Sequence, residues 1–580
     1  MPPHVGHPGL VSDKVEARAY QLKAVDDAMA GSTLLILPTA AGKTAVAWMS
    51  IVERMERAGG WALVIAPTVA LSNQHLENAL PVLSKTEEWN PIVLSGQQTA
   101  SKRPDLWSGS KLVFATPQVV RNDVEKGVLS LRDCCLLVVD EAHHCTGEHA
   151  MAEVAEMYLT QSNNPLILAT TASPGSRKEQ VHEICSRLEI QKIHLRTRED
   201  PMLAEFLAEL EVEEMGVAVP TEIRDLVEPF RIWQEGIVDR ERRSGRYVMP
   251  GAINQAGLTN AMDRAQAAIQ RGDPSGYRSS SQIATAMRLH HLINHLLCQG
   301  VAASRFFLSR MEAEDSKSKS AKDFLRDPRV RSLSDRLQDM DEIHSKVGAV
   351  RRMARERIKR DPESRIIVFA NYRDTVEALE KALEGLEGIN AIQFIGQSSR
   401  SGSGGLTPKQ QISRLEEFRS GGANVLVATS VGEEGLDIPS ADLVVFYEPV
   451  SSEIRTIQRR GRTGRRRGGE VVVLIAEGTR DESAKDSARR KEEFMHKAAR
   501  RVSRGLSGNP HSDLSNLSRF SVTNGDVSGP AADFVLEARE RHRGELSEKD
   551  ETPAEVGRKP KEELPPESFR PRGQTGLDQF

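Results

Sequence analysis

The chain has 580 residues, of which 39% are hydrophobic, 28% charged and 4% aromatic, and its formal net charge is −4 at pH 7. This length predicts several domains with sizeable cores. No apolar run approaches the roughly 18 residues that a membrane helix needs, which argues against a membrane protein. The first residues lack a basic segment followed by an apolar core, so we expect no signal peptide and a cytoplasmic protein, nucleoid-associated if the source is prokaryotic.

The first predicted domain, residues 1–198, alternates short apolar runs with helical stretches. Such runs, rich in β-branched and aliphatic residues, are typical of buried parallel strands in an α/β domain. The runs are 34–37, 63–65, 112–114, 136–139 and 166–168.

A phosphate-binding loop follows the first of these runs. Backbone N–H groups at the start of the next helix are expected to surround the phosphates, Lys43 to reach the β and γ oxygens, and the Thr44 hydroxyl to hold magnesium. Leu37 replaces the first glycine of the fullest loop pattern. The predicted loop residues are Thr39, Ala40, Ala41, Gly42, Lys43 and Thr44.

Two carboxylates, Asp140 and Glu141, follow the run 136–139 within an Asp-Glu-Ala-His sequence. Ligands bind at the carboxyl ends of the strands in such sheets. We expect Asp140 to hold magnesium through water, and Glu141 to orient and deprotonate the attacking water.

The five cysteines contain no C-x-x-C pair, and their number is odd. This favours buried reduced thiols over a zinc ribbon or a four-cysteine iron–sulfur cluster.

Residues 199–345 differ from the first domain, because they are charged and have helical periodicity. They predict a mostly α-helical insertion.

A second α/β domain is predicted at 346–502. Its apolar runs are 366–369, 392–395, 425–427, 443–446 and 471–475.

The second domain carries an arginine-rich segment at 458–465. Arg462 and Arg465 are three residues apart and would share a helix face. We expect them to act as arginine fingers on the γ-phosphate across a cleft between the two domains.

Residues 503–580 lose the apolar periodicity, and 548–566 are rich in Glu, Lys and Pro, as flexible tails are. We predict a flexible tail with one short helix near 532–543.

Together these motifs resemble those of superfamily 2 helicases, and most closely the archaeal Hef helicase and its eukaryotic relative, the FANCM translocase. RIG-I-like and Dicer helicases are more distant. The resemblance covers roughly residues 15–500. It is carried by 18–21, 66–68, 115–117, 171–175, 367–373, 428–437, 446–450 and 458–465.

The resemblance implies two tandem RecA-like domains that use ATP and Mg²⁺. It implies that Arg18 and Gln21 read adenine, that Gly435 and Asp437 lie near the ribose and γ-phosphate, and that Gln458 contacts the phosphate side of the closed cleft. Ala40 stands where Hef-like sequences usually carry glycine, a change that we expect to be tolerated.

The resemblance also implies an ATP-dependent DNA helicase or translocase that acts on forked or branched DNA in replication-fork repair and recombination. Thr68, Thr116 and Thr429 would touch the DNA backbone, and the helical insertion would grip branched DNA. The alternative is a RIG-I- or Dicer-like ATPase or helicase acting on double-stranded RNA, because phosphate-gripping motifs read backbone more than base.

Hef carries a nuclease domain after its helicase, whereas here about 80 residues follow residue 500 and contain no E-R-K-x-x-x-D sequence. We therefore expect no nuclease in this chain, and consider a separate nuclease subunit as a partner.

The last residues resemble the PIP box, the peptide that docks on the PCNA sliding clamp. Gln574, Leu577 and Phe580 fit Q-x-x-Φ-x-x-aromatic, and one helical turn would place the two apolar anchors on one face. A solvated tail without a partner is the alternative.

Overall fold

The computed structural model describes residues 2–38, 41–197, 200–206, 212–313, 319–396, 406–429, 441–449, 470–506 and 513–542. It confirms the predicted fold class: two parallel-sheet α/β domains with a helical region between them. None of the helices in these ranges is long and apolar enough to cross a membrane.

The first domain is built on a seven-stranded parallel sheet with the order β4-β5-β3-β6-β7-β2-β8. All five predicted runs lie in it. The two edge strands, β4 and β8, are only partly buried and lack a continuous buried run. The strands of the first 200 residues are β1 (His4–Gly6), β2 (Thr33–Ile36), β3 (Trp61–Ile65), β4 (Ile92–Leu94), β5 (Leu112–Ala115), β6 (Cys134–Asp140), β7 (Ile167–Thr171) and β8 (Lys192–Leu195).

Successive strand residues point to opposite faces of this sheet, so that Leu35 and Leu34, for example, belong to two separate apolar cores. Helices cover both faces, which explains why the strands are continuously apolar. The helices are α1 (Ala19–Ala30), α2 (Lys43–Ala58), α3 (Val69–Ala79), α4 (Thr86–Trp89), α5 (Arg103–Ser108), α6 (Pro117–Glu125), α7 (Ala150–Gln161), α8 (Lys178–Arg187) and α9 (Pro201–Ala204).

The region predicted as an insertion contains, after the short helix α9, a strand, β9 (Val212–Val217), which pairs in parallel with the second sheet. Its sequence holds two adjacent glutamates and a glycine, so no apolar run indicates it. The helical body starts after it and has its own apolar core. Its helices are α10 (Thr221–Arg243), α11 (Gln255–Gln270), α12 (Ser275–Cys298), α13 (Val301–Ala313), α14 (Lys319–Arg326) and α15 (Pro328–Asp339).

The second domain has a six-stranded parallel sheet with the order β11-β12-β10-β13-β14-β9. All five runs predicted for this domain lie in strands. Its remaining elements are α16 (Ser345–Arg360), β10 (Ile366–Ala370), α17 (Arg373–Leu383), β11 (Ala391–Phe394), α18 (Pro408–Ser420), β12 (Val425–Thr429), β13 (Leu443–Phe446) and β14 (Glu470–Ala476).

The long helix α19 (Arg480–Gly505) starts beside the second sheet and packs against α8 and β8 of the first domain. Ala498, Ala499 and Val502 on this helix are buried in the first domain's core. The helix therefore connects the two domains physically.

Residues 513–542 depart from the predicted flexible tail. They form β15 (Ser521–Asn524), β16 (Val527–Pro530) and the expected short helix, here α20 (Ala531–Arg541). β15 pairs with β1 in an antiparallel three-stranded sheet, and α20 packs against α1. The buried apolar residues of this segment, among them Leu517 and Val535, lie in a core of the first domain, a contact that local periodicity does not show.

Candidate nucleotide-binding site

The predicted phosphate loop and carboxylates meet at the carboxyl edge of the first sheet. β2 leads into the loop, and β6 ends at Asp140 between β3 and β7. α2 begins at Lys43 directly after the loop, so that its N-terminal N–H groups face the same edge. This is where ligands bind in parallel α/β sheets.

Gly42 sits in the left-handed region, with φ 79° and ψ 38°. A Cβ atom at this position would lie 2.2 Å from Nε2 of Gln21. The backbone conformation therefore favours glycine, and any side chain here would also displace the Gln21 amide.

Lys43 is half-buried, and its Nζ donates a hydrogen bond to the Leu37 carbonyl oxygen, 3.2 Å away. Burial lowers the pKa of Lys43 below its usual value, while the charges of Glu141 and Asp140 act in the opposite direction. The ammonium is thus held within the loop, close to both predicted carboxylates.

The predicted adenine-reading residues are attached to the same loop. The Tyr20 hydroxyl and Nε2 of Gln21 both donate to the Ala41 carbonyl oxygen, at 2.8 and 3.0 Å. Arg18 donates to the Tyr20 hydroxyl at 3.3 Å and lies over the Phe206 ring, 5.2 Å from its centroid. We assigned no role to Tyr20 or Phe206 from sequence. Phe206 is nearly 190 residues away from Arg18 along the chain, and no local signal joins them.

The Asp140 carboxylate has two side-chain partners. Thr170 Oγ1 donates to its Oδ1 at 2.6 Å, and Nε2 of His75 lies 2.8 Å from its Oδ2. Burial favours the neutral form, but these two hydrogen bonds and the charge of Lys43 hold the pKa of Asp140 well below its usual range. Asp140 is therefore ionised at neutral pH, as a magnesium ligand must be.

Glu141 follows in the left-handed conformation, with φ 54° and ψ 49°, which is costly for a residue with a side chain. Its carboxylate lies 3.2 Å from Nδ1 of His143, and the same nitrogen lies 3.4 Å from the Thr171 hydroxyl. Contacts thus run from Glu141 through His143 to the motif at 171–175.

Thr68 and Thr116 follow the neighbouring strands β3 and β5, and each precedes a helix. The Thr68 hydroxyl accepts a hydrogen bond from the Leu71 N–H at 3.2 Å and so caps α3. Thr429 is the last residue of β12 in the second sheet, and is buried.

Several predicted residues lie outside the described parts of the chain. They include two residues of the phosphate loop, all of the second-domain nucleotide contacts and the terminal peptide, and their roles stay predictions. They are Thr39, Ala40, Gly435, Asp437, Gln458, Arg462, Arg465, Gln574, Leu577 and Phe580.

The described residues fit a magnesium nucleotide. Lys43, Thr44 and Asp140 line one small cavity together with His75. Hydroxyl and carboxylate oxygens are ligands that Mg²⁺ prefers, and it takes only one or two of them from the protein when phosphates supply others. Accordingly, the described ranges contain no cluster of three or more His, Cys, Asp or Glu side chains able to hold a metal.

Two RecA-like sheets joined in tandem, with a phosphate loop and an Asp-Glu-Ala-His sequence in the first, define the class of superfamily 2 helicases. The comparisons agree. A model of DEAD/DEAH box helicases matches residues 18–181, and a model of the helicase conserved C-terminal domain matches residues 346–467.

Among solved structures, the helicase domain of Pyrococcus furiosus Hef is similar to this chain at 35% identity with a TM-score of 0.63, covering 81% of this chain and 98% of that domain. A Methanocaldococcus jannaschii protein, provisionally named as an ATP-dependent RNA helicase, is 36% identical over 491 residues, 85% of this chain. The chain belongs to the Hef/FANCM-type superfamily 2 helicases.

More distant relatives include an ATP-dependent DNA helicase of Neurospora crassa, 30% identical over 81% of this chain, and the Fanconi anemia group M protein homolog of Mus musculus, 29% identical over 85%. The chain spans 62% of the M. jannaschii protein, 42% of the N. crassa protein and 26% of the mouse protein.

Proposed function

We propose that this protein is an ATP-dependent DNA helicase or translocase that acts on forked or branched DNA in replication-fork repair and recombination. The observation that carries the proposal is the 35% identity to the Hef helicase domain over 98% of that domain. The N. crassa relative, which is named as a DNA helicase, supports DNA as the substrate.

In this proposal each of the described site residues has a separate role in ATP binding or hydrolysis. Lys43 binds the β and γ phosphate oxygens, and Thr44 and Asp140 hold magnesium, which neutralises the charge on the phosphates when it is bound. Glu141 orients the attacking water and accepts its proton. Arg18 and Gln21 hold the adenine beside the loop, which Gln21 contacts directly and Arg18 reaches through Tyr20.

The second domain completes the site in this proposal. Gly435 and Asp437 lie near the ribose and γ-phosphate, Gln458 contacts the phosphate side, and Arg462 and Arg465 stabilise the charge that develops on the transferring phosphoryl group. Hydrolysis then requires the two domains to close, so that opening and closing drive movement along DNA.

Thr68, Thr116 and Thr429 contact the nucleic-acid backbone in this proposal, and the helical insertion selects branched DNA. RNA is the second candidate, because the M. jannaschii relative is named as an RNA helicase. Strand displacement and ATPase stimulation over a panel of forks, Holliday junctions and duplex RNA test the choice. Stronger stimulation by duplex RNA than by forked DNA would establish the second candidate instead.

We also propose that Gln574, Leu577 and Phe580 dock on the PCNA sliding clamp. The test is a pull-down with the clamp, comparing the full chain with a chain that lacks residues 574–580. The deletion should abolish retention, and equal retention of both forms would refute the proposal.

A further inference from the structure

Helix α3 connects two features that the proposed function treats separately. Its first turn is capped by Thr68, the proposed backbone contact. His75 lies two turns further along, at about 10 Å by the 1.5 Å rise per helical residue. The ring of His75 contacts the carboxylate of Asp140, the proposed magnesium ligand.

The contact between His75 and Asp140 has a defined geometry. Nε2 of His75 lies 2.8 Å from Oδ2 of Asp140. An ionised carboxylate only accepts hydrogen bonds, so Nε2 carries the hydrogen. The imidazole is also stacked on the Phe114 ring of β5, with centroids 6.4 Å apart and an interplanar angle of 10°. Phe114 is buried, so this stacking restrains the ring that donates.

Asp140 is held from two sides by different parts of the domain. Thr170 belongs to β7, an interior strand of the sheet, and its hydroxyl holds Oδ1 in place by a hydrogen bond. His75 belongs to a helix on the periphery, which packs beside β4 and β5. A small shift of α3 therefore changes the hydrogen bond at Oδ2 while the one at Oδ1 stays, and rotates the carboxylate.

We propose that His75 is a positioning residue that couples nucleic-acid contact at Thr68 to the orientation of the Asp140 carboxylate, and thereby to magnesium-nucleotide binding. The coupling rests on the proposed function, since it assumes that α3 meets the nucleic-acid backbone. Side chains that orient a metal-ligating group typically contribute about 10- to 100-fold to metal affinity.

Two substitutions separate this role from simple packing. His75→Gln keeps a donor nitrogen the same number of bonds from Cβ, whereas His75→Leu fills the space beside the apolar Phe114 without any donor. His182→Leu is the matched control, since His182 is an exposed histidine on α8 of the same domain.

Three measurements on the full-length chain are needed. The first is equilibrium binding of a fluorescent, non-hydrolysable ATP analogue at increasing Mg²⁺ concentration, without nucleic acid. The second is the ratio of ATPase rates with and without forked DNA, and the third is the thermal unfolding temperature.

We expect His75→Leu to raise the Mg²⁺ concentration for half-maximal analogue binding by about tenfold, and to reduce the stimulation ratio several-fold. His75→Gln should recover much of both, and His182→Leu should match the wild type. If His75→Leu and His75→Gln are impaired equally, in proportion to a lowered unfolding temperature, the role is only structural and the inference is overturned.

Different results would refute the proposed function and the role of His75. A wild-type chain that neither DNA nor RNA stimulates would refute the proposed function, and the coupling with it. A wild-type chain that is stimulated, with a His75→Leu variant that keeps both the Mg²⁺ dependence and the stimulation ratio, would refute the role of His75 alone.

Discussion

The two α/β domains carry a carboxylate at equivalent places and use it differently. β6 lies between β3 and β7, and β13 lies between β10 and β14. β6 ends at Asp140, which accepts hydrogen bonds from side chains and shares a cavity with Lys43. β13 is followed by the buried Glu448, which accepts the Asn371 backbone N–H at 2.9 Å.

At the carboxyl edge of the second sheet, several of the described residues attach other elements. The Tyr447 hydroxyl donates to the Gln299 carbonyl oxygen at the end of α12, 2.7 Å away. Lys346 at the start of α16 pairs with Asp481, which also accepts the backbone N–H of Ala476 at the end of β14. The same edge of the same architecture thus holds the candidate magnesium ligand in the first domain. In the second domain it holds joints between elements beside Thr429, the proposed nucleic-acid contact, because function depends on the site rather than on the fold.

The largest effect is expected from substitutions at the candidate nucleotide-binding site of the first domain. Lys43→Ala and Glu141→Gln should abolish measurable hydrolysis, since a general base alone contributes about 10²–10⁴-fold. Glu141→Gln should still bind ATP, because the phosphate contacts stay. Steady-state ATPase and nucleotide-binding assays check this, with the exposed Glu148→Gln as the control. Near-normal turnover in either site variant would contradict the site assignment.

Arg465→Ala tests whether the second domain contributes to the chemistry at all. Loss of an arginine finger should lower kcat by about 10³-fold or more, or about 4 kcal/mol of transition-state stabilisation. Single-turnover hydrolysis at saturating ATP measures it. A rate within a few-fold of the wild type would mean that Arg465 of the second domain does not contribute to hydrolysis.

Lys346→Met tests the buried ion pair between α16 and α19 beside the second sheet. The side chains of Lys346 and Asp481 are 0% and 2% exposed, so removing the cation leaves a buried, uncompensated carboxylate and should cost about 3–5 kcal/mol. Lys381→Met is the control, because its pair with Glu377 is exposed and should contribute less than about 1 kcal/mol. Denaturant midpoints compare the two, and similar small shifts would argue against a structural joint at this edge.

Acid should weaken the junction between the insertion and the second domain. His295 stacks on Phe307 and contacts the tilted ring of Tyr372. Burial, with the nearby charge of Arg480, lowers the pKa of His295 to about 3. In the unfolded chain the His295 imidazole takes up a proton near pH 6.5. The contribution of neutral His295 to the free energy of unfolding is therefore fully present above that pH and is lost as the pH falls towards 3. From pH 7.5 to 5 the loss from this group should reach about 2 kcal/mol.

Denaturant midpoints across this pH range measure the effect. A His295→Phe variant should show a flatter pH dependence than the wild type. An unchanged slope would mean that His295 is not the group responsible.

Local sequence was sufficient to predict most strands of the two parallel sheets, and it also predicts the phosphate loop and the carboxylates at the end of β6. Each of these features has a short-range physical cause: a buried strand must be apolar, and the loop needs Gly42 in the left-handed conformation. The weak edge strands β4 and β8 and the glutamate-containing β9 were missed, because their burial depends on neighbours rather than on their own composition.

The sequence by itself determined the family and the two-domain architecture, since both are carried by contiguous motifs, and it predicts which residues of the first domain meet ATP. Only the tertiary structure decided that His75 holds Asp140, that Phe206 lies under Arg18, and that β15 pairs with a strand more than 500 residues earlier. These contacts join segments far apart along the chain, and the geometry that brings such segments together arises only when the whole domain packs.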